Sequence, residues 1–221
     1  MKLSQFIFGL IKTIFHLIWF PYVRTAIRET VEDLFKKSKF SSIGNTFVLL
    51  VGFTHSGKET LIINNKQLRG MFIVHSDEIH VYLNKSLSFL YDDNTIAGKA
   101  YWERQFLTHI VRKLLLRKAF KSNINVVNDS ANLRKRDRST KLALAKRYGY
   151  QTIIIQVQCS ESVLLKRLQE ADDKKSDLHE PRNWVALYGS QKSRFCPVKG
   201  NEADRVIVYH SDFLKPEHLQ I

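Results

Sequence analysis

The sequence predicts a three-layer α/β fold with a mainly parallel five-stranded sheet, preceded by N-terminal helices. Three observations carry this expectation. Five apolar runs of strand length, at 46–51, 71–75, 125–128, 152–157 and 205–209, alternate with helix-length stretches. That order suits a parallel sheet covered on both faces. The first run leads into Gly52-Phe-Thr-His-Ser-Gly-Lys-Glu-Thr60, a turn with glycine at both ends and a lysine opening a helix. The length of 221 residues, 44% of them of hydrophobic type, is enough for one good core and an appendage.

The net charge of +14 predicts attraction to something anionic: nucleic acid, an acidic membrane surface or a phosphorylated substrate. Charge alone does not choose among them. Cys159 and Cys196 lie far apart, without metal-ligand or redox spacing. They read as packing residues of a chain in a reducing compartment, and they exclude a disulfide scaffold. The chain has no internal repeat, low-complexity tract, collagen period or coiled-coil heptad.

Two domains are expected, a helical segment over 1–40 and an α/β domain over 46–221. Leu3–Phe20 is mostly Ile, Leu, Phe and Trp, with Gln5, Gly9, Lys12 and His16 forming one narrow stripe. No small-residue cleavage site follows it, which disfavours a signal peptide. Lys12 stands at its middle, where a spanning helix carries charge at high cost. The favoured reading is a helix in the membrane interface, with Trp19 and Tyr22 at headgroup level. A helix packed on the protein itself and a spanning helix are the alternatives. The expected location is the cytoplasmic face of a membrane, or the bacterial cytoplasm if the chain is soluble.

Pro21 ends that helix, and Val23, Ile27, Val31 and Leu34 line one face of a second one, about Val23–Phe35. Its Arg24, Arg28, Lys36 and Lys37 either meet lipid phosphates or form a solvated face. Lys39–Asn45 is a short linker rich in Ser and Gly.

The turn after the first strand fits G-x-x-x-x-G-K, with Gly52, Gly57 and Lys58 in place. Backbone N–H groups and the positive end of the next helix, Leu61–Leu68, converge there on a site for polyphosphate. Thr54, His55 and Ser56 complete the loop, and Lys58 reaches the β- and γ-phosphates. Glu59 stands where a hydroxyl usually ligates Mg²⁺, and Thr60 follows.

The second strand ends in Ser76-Asp77-Glu78-Ile79-His80, and chemistry gathers at the carboxyl ends of strands in open α/β sheets. Asp77 there suits either a base taking a proton from an attacking hydroxyl or a helix N-cap. Asp92-Asp93-Asn94 breaks the chain before a helix at about Lys99–Phe120, whose inner face is expected to hold Trp102, Phe106, Ile110 and Leu114. Asp129 ends the third strand. Arg134, Lys135, Arg136 and Arg138 open the helix from Leu133 to Tyr148, where cations oppose the macrodipole. They suggest an anionic partner or a solvated basic face. Gly149 closes that helix, Ser160 caps the next, and Ala171–Pro181 is a charged, mobile stretch before a helix at about Asn183–Ser193.

The order phosphate loop, strand–Asp77, strand–Asp129-x-x-Asn132, then "LAKRYGYQTIIIQV" resembles the polynucleotide-kinase-like branch of P-loop kinases. The small bacterial P-loop proteins known only as ATPases belong to the same branch, with zeta toxins more distant. The likeness runs from Phe47 to Ser211, and Ser176-Asp177 with Arg194-Phe195-Cys196-Pro197 is similar to the lid region of the bacterial members. It implies a P-loop NTPase kinase-like fold, ATP and Mg²⁺ as ligands, and a hydroxyl acceptor for the γ-phosphate. It implies that Lys58 polarises the transferred phosphate and that Asp77 is the general base rather than a cap. Asp129 and Asn132 organise the metal and phosphates, and Arg167 stabilises the transferring group. Metal ligands would come from Glu59, Thr60 and Asp129, since Mg²⁺ takes hard oxygens. Four positions depart from the pattern. Glu59 replaces the Mg²⁺-binding hydroxyl, and His55 a frequent Gly. His80 replaces an Arg that clamps acceptor-side phosphate, and Ala171 a second lid Arg near Lys174 and Lys175. Three functions follow: a kinase of a small-molecule or membrane-associated hydroxyl, a 5′-hydroxyl polynucleotide kinase, or a membrane-tethered nucleotide-binding module with little turnover.

Overall fold

The computed structural model describes residues 21–38, 40–41, 43–87, 99–173 and 183–221, with backbone alone at 99–103. Along the chain, α1 (Pro21–Lys37) precedes β1 (Thr46–Val51), α2 (Lys58–Asn64), α3 (Lys66–Arg69) and β2 (Phe72–His75). Then come α4 (Ser76–Ser86), α5 (Lys99–Lys121), β3 (Val126–Asp129) and α6 (Lys135–Arg147). The chain continues through β4 (Gln151–Gln158), α7 (Glu161–Asp173), α8 (Trp184–Lys192) and β5 (Arg205–His210). Two compact units divide it: the first holds residues up to 38 with 75–117, the second 39–74 with 118–221.

The sheet is five-stranded and parallel, in the order β2-β3-β1-β4-β5, and the second unit holds it apart from His75. This is a P-loop kinase-like α/β fold. At the centre, Phe47 of β1 stands opposite Val126 of β3 and Thr152 of β4. Residues 47–51 of β1 are all fully buried, as a strand covered on both faces demands. One face packs Val48, Leu50, Ile153 and Ile155 against Leu61 and Ile62 of α2 and Leu68 of α3. On the other, Phe47 meets Phe120 edge-on at 5.4 Å, and Phe120 meets Tyr150 at 4.5 Å. Gly149 takes φ +75 after α6, a turn that glycine makes without strain. The chain crosses from one side of β1 to the other after β3. The loop leaving the carboxyl end of β1 therefore opens at a switch point, where such sheets bind ligands.

The single helix expected over Leu61–Leu68 is two. Asn65 divides it: its Oδ1 accepts from Gln67 N and Leu68 N at 3.1 and 3.0 Å and starts α3. Its amide donates to Pro216 O and Leu219 O, both at 2.9 Å, so the same side chain anchors the tail.

In the first unit α1 buries Val23, Ile27, Val31 and Leu34 as expected, with Ala26 and Thr30. Arg24, Arg28 and Lys36 lie on its exposed side, while Lys37 pairs with Glu78 at 2.9 Å. The expected face of α5 is corrected. Leu107, Thr108, Val111 and Leu115 are buried, whereas Leu114 is exposed and Phe106 and Ile110 only half-buried. The break at Asp92–Asn94 and most of the charged stretch, from Lys174 through Ser176-Asp177 to Pro181, lie outside the described residues, as does Leu3–Phe20. Residues 171–173 continue α7. Among the described residues no helix is long and apolar enough to cross a membrane.

Candidate functional site

The loop 52–57 joins β1 to α2 in the second unit, and both of its glycines have a steric reason. At Gly52 an added Cβ would stand 2.7 Å from Val157 O and from Ser56 Oγ. Gly57 takes φ +97 as the residue before α2, and a Cβ there would stand 2.8 Å from Ser211 Cβ. His55 also has positive φ, at 60°. Left-handed residues at 55 and 57 bend the backbone sharply here, a conformation from which anion-binding concavities are built. Lys58 folds back over this turn: its Nζ donates to Gly52 O at 3.1 Å and Phe53 O at 2.7 Å.

Side chains that sequence reasoning missed hold the loop. Gln191 of α8 accepts from Thr54 N at 3.1 Å and donates to Thr54 Oγ1 at 2.7 Å. Ser211, just past β5, donates to Ser56 O at 2.6 Å. Trp184 meets the His55 ring edge-on at 4.9 Å. Burial, then the cations Lys58 and Arg167, depress the His55 pKa against the opposing pull of Asp172 and Glu59, which favours the neutral ring. Gln191, Trp184 and Ser211 come from segments far along the chain, and no local motif marks them.

Arg167 of α7 lies against the loop: its Nη1 is 3.3 Å from His55 O and 3.4 Å from Ser211 Oγ. Glu59 and Thr60 occupy the exposed side of α2's first turn. Cys159 is half-buried, and burial raises its thiol pKa. Cys196 is exposed, and both cysteines are free thiols.

Asp129 is the buried last residue of β3, and the turn after it is stitched to the phosphate loop. Ala131 O accepts from Gly52 N at 3.1 Å, and Asn132 Nδ2 donates to Leu50 O at 2.6 Å. Asn132 Oδ1 accepts from Ser130 and from the buried Lys141. Asn132 is thus a bracket between β1 and the β3 turn.

Arg138 corrects the expectation of a basic group offered to an anionic partner. It is fully buried and grips Glu202 through Nε and Nη2, at 2.7 and 2.9 Å. Its remaining bonds go to the carbonyls of Asn132, Leu133, Cys196 and Pro197. Burial alone would raise the Glu202 carboxyl, but Arg138 and the Lys199 amide hold it below its ordinary value. Arg134, Lys135 and Arg136 are exposed.

Asp77 and His80 belong to the first unit. Asp77 is the exposed second residue of α4, and the N-cap is His75, which corrects the capping alternative. His80 Nδ1 lies 3.3 Å from Thr108 Oγ1, whose own proton goes to Arg104 O. Among the described residues no three His, Cys, Asp or Glu side chains gather as a metal-holding group.

Residues 47–183 match the family model described as AAA domain. No curated protein matches the sequence. A chain of the PezAT chromosomal toxin–antitoxin system of Streptococcus pneumoniae superposes on 87% of this chain and 79% of its own. Its TM-score is 0.62 at 14% identity. A candidate kinase from Chloroflexus aurantiacus covers 81% of this chain and 91% of its own, with TM-score 0.53 and 15% identity. Likeness at such identity is one of fold.

Proposed function

The chain belongs to the AAA domain family, and on that premise we propose that it is an ATP-dependent phosphotransferase moving the γ-phosphoryl group to a hydroxyl acceptor. The acceptor is a small molecule or a membrane-associated compound. One observation carries this reading: a loop with no room for a side chain at Gly52 or Gly57, with both Lys58 and Arg167 bonded to its backbone carbonyls.

ATP supplies the phosphoryl group and leaves as ADP. Lys58 leaves the loop carbonyls to bind phosphate oxygens, and Arg167 adds positive charge where the transferring group develops its own. Asp129 and the Asn132 bracket hold the wall of the site. Asp77 takes the acceptor's proton, with His80 on the acceptor side. Glu59, Thr60 and Asp129 would offer the hard oxygens that suit Mg²⁺, whose charge would offset that of the phosphates when bound. A membrane-tethered binding module with little turnover is the second reading, favoured by the Glu59 carboxylate next to Lys58. A 5′-hydroxyl nucleic-acid acceptor is the third, resting on the net charge of +14.

The test is thermal unfolding of the protein with and without Mg²⁺-ATP, beside Lys58→Ala. Ligand at a hundred times its dissociation constant stabilises by about 2.7 kcal/mol, roughly 5–10 °C for a domain of this size. The shift should vanish in Lys58→Ala, and a well-folded protein with no shift would end the nucleotide reading. Asp77→Asn should keep the shift and lose phosphate transfer; full transfer would remove Asp77 as the base. A large gain of transfer in Glu59→Ser would favour the low-turnover module.

A further inference from the structure

A second recess lies at the amino-terminal end of the strands, where Thr46, Gln151 and Arg205 begin β1, β4 and β5. Its volume of about 490 Å³ is in the range that holds small ligands. The phosphate loop leaves the carboxyl ends of the strands, so the two sites share no residue. The charged side chains lining the recess are Lys66 and Arg205, both cations. Lys66 has no ion-pair partner among the described residues, and Arg205 gives only one Nη2 bond, to Gln220 O at 3.2 Å. Against these two cations the lining sets one anion, the α-carboxylate of Ile221, so its net charge is positive and favours an anionic ligand.

The rest of the lining narrows the class. Gln67 spends its Oε1 on Ile221 N at 3.0 Å, which leaves its amide nitrogen as a donor. Gln151 is exposed at the mouth. Buried Met71 and Ile153 make an apolar part of the wall. The tail forms another wall, pinned through Asn65 to Pro216 and Leu219. We propose that this recess binds a small organic phosphate monoester, independently of the nucleotide loop. Such an ester is close to a dianion at neutral pH. Its phosphate oxygens would meet Lys66, Arg205 and the Gln67 amide, and its organic body would lie over Met71 and Ile153.

The experiment is calorimetric titration of phenyl phosphate into the full chain carrying Lys58→Ala, which disables the loop. One saturable event per chain is expected. Adding Lys66→Ala and Arg205→Ala, both at exposed positions, should weaken it at least tenfold with the thermal midpoint unchanged. Adding Lys135→Ala and Arg136→Ala instead should leave it as it was. No saturable event, indifference to the Lys66 and Arg205 changes, or equal loss in the control pair would each overturn the proposal. Binding that disappears with Lys58→Ala alone would do so too, by assigning the phosphate to the loop. An absent ATP response beside intact phenyl phosphate binding would fell the nucleotide reading and leave this one standing.

Discussion

A methyl group at residue 52 has nowhere to go, because one of the atoms it would strike is a backbone carbonyl of β4. Gly52→Ala should cost about 1–3 kcal/mol by overpacking and abolish the response to ATP, both read from thermal unfolding. Glu202→Ala should cost more, about 3–5 kcal/mol in urea unfolding, because it strands Arg138 as an uncompensated buried charge. Asp204 makes a pH prediction. Lys146 at 2.9 Å, then the Thr152 amide and hydroxyl, hold its carboxyl at about 2. A depressed folded pKa adds stability that is present above the unfolded value and lost as pH falls through the folded one. The stability gap between wild type and Asp204→Asn should therefore shrink from about pH 5 down to pH 2. A gap constant over that range would show that the pair contributes nothing. Lys58 and its two glycines were legible in the sequence because the loop is a local motif. Arg138 was not, since its partner Glu202 lies in a distant loop and nothing beside it in sequence distinguishes it from Arg136.

Among the elements, α5 shows how a helix can mislead. Leu114, Leu115 and Leu116 are consecutive, so several faces look apolar, and counting from Trp102 selects Phe106, Ile110 and Leu114. The buried face instead holds Leu107, Thr108, Val111 and Leu115. Leu115→Ala should cost about 2–5 kcal/mol, against about 1 kcal/mol or less for Leu114→Ala at its exposed position, measured by urea unfolding. Equal costs would contradict this assignment of faces. The strands were easier to read, because five apolar runs separated by polar helices leave little choice of period. The split at Asn65 could not be read the same way, since its cause is a tail more than a hundred residues later.

At the scale of the whole molecule the net charge of +14 is the dominant fact. The full chain should sediment with anionic vesicles in 0.05 M salt. In 0.5 M salt, where screening shortens to roughly 4 Å, a purely electrostatic attachment should release. Retention at high salt would instead indicate apolar insertion, the role expected of Leu3–Phe20. The alternation of strands and helices made the α/β class legible, because a parallel sheet needs a crossover between every pair of strands.

The same parallel order has a consequence in time. Phe47 of the central strand must find Val126 on one side and Thr152 on the other, so β1 gains no neighbour until long intervening stretches have closed. Such distant pairings make folding slow. Meanwhile Thr46–Val51, an apolar and uncharged strand, is left uncovered. A newly made or refolding chain is therefore most exposed to self-association through the very strand that ends up deepest inside it.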